Sequence, residues 1–149
     1  MTSNGSRRIK KITKSEQETF AFASEFSKRL RGGEIIALYG DLGAGKTVFV
    51  RGLAAGLGIK DIVKSPTFVI MKCFRGKKLN LCHIDAYRLR TGTELEDIGA
   101  MDFFGRPKVV TVIEWAERIP ELLEKSAKLI KVRIEHLGKN KRKIVASQF

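Results

Sequence analysis

One stretch, Gly40-Asp41-Leu42-Gly43-Ala44-Gly45-Lys46-Thr47, limits what this chain can fold into more than any other. It fits the pattern G-x-x-x-x-G-K-[ST] at every specified position. The apolar run at 34–39 before it predicts a buried strand, and residues 48–57 after it predict a helix. A glycine loop between a strand and a helix is the context in which this pattern carries chemical meaning.

The residue types explain that meaning. Glycines at 40, 43 and 45 allow backbone conformations closed to other residues and a close approach to a ligand. Successive N–H groups can then converge on an anion, and the positive end of the following helix adds to the field. The segment from Asp41 through Leu42, Gly43, Ala44, Gly45, Lys46 and Thr47 to Val48 is therefore the expected cradle for the phosphates of ATP or ADP. Lys46 is placed to reach the outer phosphates, and the Thr47 hydroxyl to ligate Mg²⁺.

Composition narrows the rest. At 149 residues, 43% of them hydrophobic, the chain is expected to form a single domain over 1–149 with its own core. No apolar run is long enough to span a bilayer, and residues 1–14 lack the apolar core of a secretory signal, so no membrane partner is expected. Cys73 and Cys82 are too few for a disulfide framework or a four-ligand zinc site. They read as free thiols in a reducing compartment, which makes the cytoplasm the expected location. Almost all of the net charge of +13 sits in two basic terminal segments. Residues 1–14 hold five Lys/Arg and no acid, and residues 125–149 hold eight against Glu135 alone. The basic ends, with 1–14 and 137–149 as the terminal segments of the domain, suit an RNA or an acidic protein, and equally a solvated surface. No RNA-binding signature accompanies them.

Along the chain, 7–13 reads as an edge strand. Ser15-Glu16-Gln17-Glu18 is a capping box that starts a helix with Phe20, Phe22, Ala23, Phe26 and Leu30 at core spacing, ending at Gly32-Gly33. The runs 68–74 and 79–84, joined by 75–78, predict a hairpin and hence a mixed sheet. Residues 93–98 predict a short helix, 108–113 a central strand, and 117–124 a helix interrupted at Pro120. The segments 129–135 and 142–146 predict a terminal strand pair. The expected fold class is α/β: a three-layer P-loop NTPase fold with a mixed, mostly parallel central sheet flanked by helices.

Hydrolysis of a bound nucleotide needs an acid to organise Mg²⁺ and a group to orient water. In α/β sheets such groups stand at the carboxyl ends of strands. Asp85 closes the run 79–84 and is the expected magnesium-organising carboxylate; Glu114 closes 109–113 and is the candidate for activating water. Thr47, Asp85 and Glu114 form the expected metal set, and Glu114, Asp85 and Lys46 the catalytic one. On spacing alone, Ser65-Pro66-Thr67-Phe68 reads as a proline-stiffened start to a strand.

Together with the glycine loop, Ser65-Pro66-Thr67-Phe68, His83-Ile84-Asp85-Ala86-Tyr87-Arg88 and Ile113-Glu114-Trp115-Ala116-Glu117-Arg118 make the chain resemble the TsaE (YjeE) family over about residues 15–135. These are small bacterial P-loop ATPases of tRNA threonylcarbamoyladenosine (t6A) biosynthesis. The resemblance implies a switch-like role for Thr67 and places Trp115 with Glu114 on the nucleotide site. Tyr87 and Arg88 belong to the motif without a settled role, and His83 is expected to support Asp85. It also implies a complex with the threonylcarbamoyltransferase subunits TsaD and TsaB, with ATP hydrolysis resetting that complex between rounds. tRNA would then be met indirectly, with direct contact through the basic termini left open. Ala116 stands where the family often has Pro, and the basic run 139–143 exceeds the family's usual charge.

Two alternatives remain open. One is a nucleotide-gated docking module with little hydrolysis, and the other is a small-molecule kinase, although few residues after Asp85 could build a lid and acceptor pocket. A GTPase is disfavoured, because Asp102-Phe103-Phe104-Gly105 does not close a strand and Asn140-Lys141-Arg142-Lys143 lacks a guanine-reading Asp.

Overall fold

The computed structural model describes residues 7–41, 43–61, 63, 70–90, 93–97, 99–124, 126 and 128–148. Its strands are β1 (Arg8–Thr13), β2 (Ile35–Tyr39), β3 (Met71–Phe74), β4 (Asn80–Asp85), β5 (Val109–Glu114), β6 (Leu129–Gly138) and β7 (Lys141–Gln148). They form one sheet in the order β1-β7-β6-β2-β5-β4-β3. The middle pairs, β6–β2, β2–β5 and β5–β4, are parallel. The flanking pairs, β1–β7, β7–β6 and β4–β3, are antiparallel. The chain is thus a mixed α/β protein whose sheet is parallel where the motifs lie.

The helices are α1 (Glu16–Ser27), α2 (Lys46–Gly56), α3 (Thr93–Asp97) and α4 (Pro120–Leu123), with 3₁₀ turns at Ala100–Asp102 and Ala116–Arg118. Ser15 caps α1 by accepting from Glu18 N at 3.1 Å, while the Glu18 carboxylate accepts from Lys14 N, one residue earlier than a capping box requires. The helix ends at Ser27, five residues before Gly32, and a 3₁₀-like turn over 28–30 continues it. Phe26 and Leu30 are buried as their spacing predicts, but Phe20 lies on the outer side, 38% exposed.

β5 is buried along its whole length between β2 and β4, as expected of the most β-branched run in the chain. Two apolar clusters sandwich the sheet. One packs Phe26, Phe49, Leu53, Leu81, Val112 and Ile134 beneath α1 and α2. The other packs Ala37, Ile84, Leu95, Ile113, Leu122 and Leu123 on the opposite face. Pro120 splits the segment after β5 into a 3₁₀ turn and the short helix α4, because its ring starts a helix but cannot continue one.

The reading of Cys73 and Cys82 as free thiols is corrected by the structure. β3 and β4 pair with Cys73 directly opposite Cys82, Cα to Cα 4.1 Å, and the two form a disulfide. Antiparallel register brings opposed residues this close without any help from a disulfide framework. Among the described residues no helix is long and apolar enough to cross a membrane.

Candidate functional site

The glycine loop leaves β2 at Gly40 and enters α2 at Lys46, so Lys46 and Thr47 occupy the first helical turn. Gly43 and Gly45 take φ of 82° and 103°, values that a side chain would strain. Ala44 turns its methyl into the core, fixing the loop from beneath. The Asp41 carbonyl accepts from Ala44 N at 3.0 Å. Leu42 and Thr67, with the segment 64–69 that carries Ser65-Pro66-Thr67-Phe68, lie outside the described residues.

Parallel register brings the two acids to this loop. Glu114 stands opposite Leu38 on one side and Asp85 on the other, at the carboxyl ends of β5, β2 and β4. Side chains alternate along a strand, so Leu81, His83 and Asp85 share the face of Val110, Val112 and Glu114, the face on which α2 packs. A cavity of about 560 Å³ opens there, lined by Gly43, Gly45, Lys46, Thr47, Val48, Asp85, Glu114 and Trp115 among others.

Lys46 is only 5% exposed, and its ammonium donates to the Gly40 carbonyl at 2.7 Å. Nζ also stands 3.6 Å from the centre of the Trp115 ring, a cation–π contact. Burial pushes the Lys46 amine below the usual lysine range, against the pull of Glu114, Glu117, Asp85 and Asp41, which favour its charge. Trp115 adopts the left-handed region, φ 59° and ψ 43°, which is rare for a bulky residue. That turn folds the chain back from the end of β5 and brings the indole over Lys46. The Tyr87 ring packs on Trp115 with centroids 5.0 Å apart, and the Arg118 guanidinium lies 5.5 Å from Tyr87. The Tyr87 amide donates to Asp85 Oδ1 at 3.0 Å, so the motif's tyrosine helps to set the acid.

His83 serves the other acid. It was expected to support Asp85, but its Nε2 donates to Glu114 Oε2 at 2.6 Å. The partners lie diagonally, since His83 pairs with Val112 and Glu114 is two residues further along β5. His83 is wholly buried and Glu114 is 4% exposed. An ionised carboxylate only accepts, so the proton of a neutral imidazole sits on Nε2, and Nδ1 has no hydrogen-bond partner among the described residues.

Sequence reasoning missed another wall of the cavity, made by Ser15, Glu16 and Thr19 at the start of α1, Asn140 from the β6–β7 turn and Arg142 from the start of β7. Thr13 Oγ1 and Thr19 Oγ1 bond at 2.7 Å and tie α1 to β1. Arg142 Nη2 donates to the Gly43 carbonyl at 3.4 Å across 99 positions of sequence. Only the sheet order brings these groups to the loop, and no local pattern announces it.

Fold and site define an α/β protein with a cleft at the carboxyl ends of its central strands, built around a glycine loop. Its sequence matches the family model described as threonylcarbamoyl adenosine biosynthesis protein TsaE over residues 13–144. The chain belongs to the TsaE family. It is 38% identical to the tRNA threonylcarbamoyladenosine biosynthesis protein TsaE of Bacillus subtilis, over 93% of this chain and 84% of the relative. It is 39% identical to the same-named protein of Treponema pallidum, over 83% and 90% respectively. The crystal structure of Bacillus subtilis YdiB superposes with a TM-score of 0.75 and 32% identity, covering 98% of this chain and 88% of that one.

Proposed function

We propose that this chain is a Mg²⁺-dependent ATPase with a P-loop NTPase fold, working in tRNA threonylcarbamoyladenosine biosynthesis in the cytoplasm. The observation that carries the proposal is the convergence of Asp85 and Glu114, from adjacent strand ends, on the cleft that Lys46 and Thr47 line. In a reducing cytoplasm the Cys73–Cys82 pair would stand as a dithiol.

Each residue has a task that its environment supports. Gly43, Gly45 and the first turn of α2 line the cleft and would offer their N–H groups to the phosphates, with the buried Lys46 ammonium adding fixed charge. The Thr47 hydroxyl and the Asp85 carboxylate are hard oxygen donors and fit Mg²⁺, which keeps several waters and takes few protein ligands. When bound, the ion would neutralise charge developing on the phosphates. Glu114, aligned by His83, would hold the attacking water and take its proton. Trp115 and Tyr87 would wall one side of the cleft, Ser15, Thr19 and Asn140 another, and Arg142 would stand beside the glycine loop it already contacts.

The family setting supports action with TsaD- and TsaB-like proteins, whose contact would complete the geometry for turnover. Groups supplied by a partner accelerate other P-loop enzymes by about 10³–10⁵. The test is phosphate release by the purified chain, alone and with TsaD, TsaB and tRNA. A rate that rises with the TsaD–TsaB pair supports the proposal. ATP binding with no turnover in any combination would leave a nucleotide-gated docking module, and transfer of phosphate to a small molecule a kinase.

A further inference from the structure

The basic residues at the two ends of the sequence meet on one surface. β1, β7 and β6 are hydrogen-bonded neighbours, and their side chains alternate between two faces. Ile9, Ile144, Ala146, Val132 and Ile134 turn to the core under α1 and α2. On the opposite face the second apolar cluster reaches β6 only at Leu129 and goes no further. Register there places Lys10, Val145 and Arg133 in one row, Arg8, Ser147 and Lys131 in the next, and Ile12, Lys143 and Glu135 in the third. Arg8, Lys10 and Arg133 are exposed and Lys143 is half-buried. Glu135 is the one acid in these rows, and Lys131 has interactions of its own.

We propose that this face docks RNA by its phosphate backbone, a reading that rests on the proposed role in tRNA modification for the identity of that RNA. Three observations favour a base-paired nucleic acid. The cations stand on a stiff sheet, about 6.8 Å apart along a strand and about 9.6 Å apart across the two strand spacings from β1 to β6, so they form a fixed lattice of charge. Protein interfaces are depleted of charge at their centre and carry aromatic anchors, whereas here Lys10 and Arg133 flank the central Val145. The three rows themselves hold no aromatic residue, and the nearest, Tyr39 on β2, continues the row of Arg133 and packs against its guanidinium at 5.2 Å, so contact from β1, β7 and β6 would fall on phosphates and carry no sequence preference. The face also lies on the opposite side of the sheet from α2 and the catalytic cleft, so RNA and nucleotide can be held together.

The experiment is fluorescence anisotropy of a labelled tRNA transcript with the full chain, without nucleotide, from about 50 to 200 mM salt. The triple variant Lys10→Thr, Arg133→Thr, Lys143→Thr removes one cation from each strand and keeps β-favouring side chains. Its log–log salt slope should be shallower than wild type by about 3, with binding at least about tenfold weaker. The control triple Lys72→Thr, Arg75→Thr, Lys78→Thr removes equal charge around β3, at the other edge of the sheet, and should hold the slope within about 1 of wild type. Circular-dichroism melts check that both variants fold. Equal losses in the two triples overturn the proposal, because binding would then follow net charge alone. So does wild-type binding to polyglutamate but not to tRNA, which would assign the face to an acidic protein. Phosphate release is measured separately, so tRNA binding without hydrolysis would sink the ATPase reading and leave this one standing.

Discussion

Replacing His83 by Leu removes the imidazole whose Nε2 donates to Glu114 Oε2 at 2.6 Å, at similar side-chain volume. His83 is fully buried and leucine there offers no donor, so the Oε2 that faced the imidazole is left against an apolar side chain on the sealed side of Glu114. Hydrogen bonds to charged groups contribute about 1.5–3 kcal/mol, and a carboxylate oxygen left buried without its donor costs about that much. For a chain of this size the loss corresponds to a fall in Tm of about 3–12 °C. The double variant His83→Leu, Glu114→Leu also removes the stranded carboxylate and should recover much of the loss, giving a coupling energy well above about 0.5 kcal/mol. In catalysis the same substitution should lower kcat by about 10–100-fold, since a water-orienting carboxylate out of place by an ångström costs that order. Affinity for ATP should hold, because Lys46, Thr47 and the loop are untouched. His83→Gln, which keeps an N–H donor near Nε2, should recover part of both effects. Thermal melts of the four-variant cycle and steady-state hydrolysis give the readouts. Additive stability losses with unchanged kcat would refute the claim that His83 holds Glu114 in place.

Three further outcomes follow from the packing. Lys46→Met should abolish ATP binding while leaving Tm within about 2–4 °C of wild type. Burial lowers the Lys46 pKa, so its ionised form costs stability at every pH below the lysine range, and losing that cost offsets the lost bond to Gly40; a much larger fall in Tm would show the ammonium to be a net structural pin. Gly52→Ala should destabilise by about 1–3 kcal/mol, because a methyl there meets the Phe20 carbonyl and the Ala23 side chain, 2.7 Å away, where α1 crosses α2; a neutral result in urea unfolding would mean the helices part freely. Under non-reducing conditions the native protein should show no reactive thiol in an Ellman titration, and two after reduction and unfolding; two before reduction would place Cys73 and Cys82 as free thiols after all.

Much of this was legible in the sequence wherever local chemistry decides the outcome. The strand–glycine loop–helix unit, the hairpin, the buried β5 and the split at Pro120 all follow from periodicity and from what Gly and Pro permit. Legibility ended where pairing register decides. A loop confined to 75–78 would set Cys73 opposite Asn80; the first observed pair is Phe74 with Leu81, so the turn runs through Asn80, whose Oδ1 accepts from Gly76 N, and the two-residue shift puts Cys73 opposite Cys82. His83 meets Glu114 because β4 and β5 are parallel neighbours, a fact 31 positions of sequence conceal. Arg142 reaches Gly43 only because β6 lies beside β2 and β7 beside β6, and the same order gathers the basic ends onto one face.

The claim at the centre is that Glu114 acts on water and does not hold ATP. The direct measurement is Glu114→Gln assayed twice in one sample, with ATP affinity from Trp115 fluorescence and phosphate release with the TsaD–TsaB pair present. ATP affinity within about threefold of wild type, with phosphate release lowered by about 10²-fold or more, is the predicted result. Near-wild-type release would contradict it, and loss of ATP binding would make Glu114 a binding residue and return the choice of catalytic base to the remaining acids of the cleft.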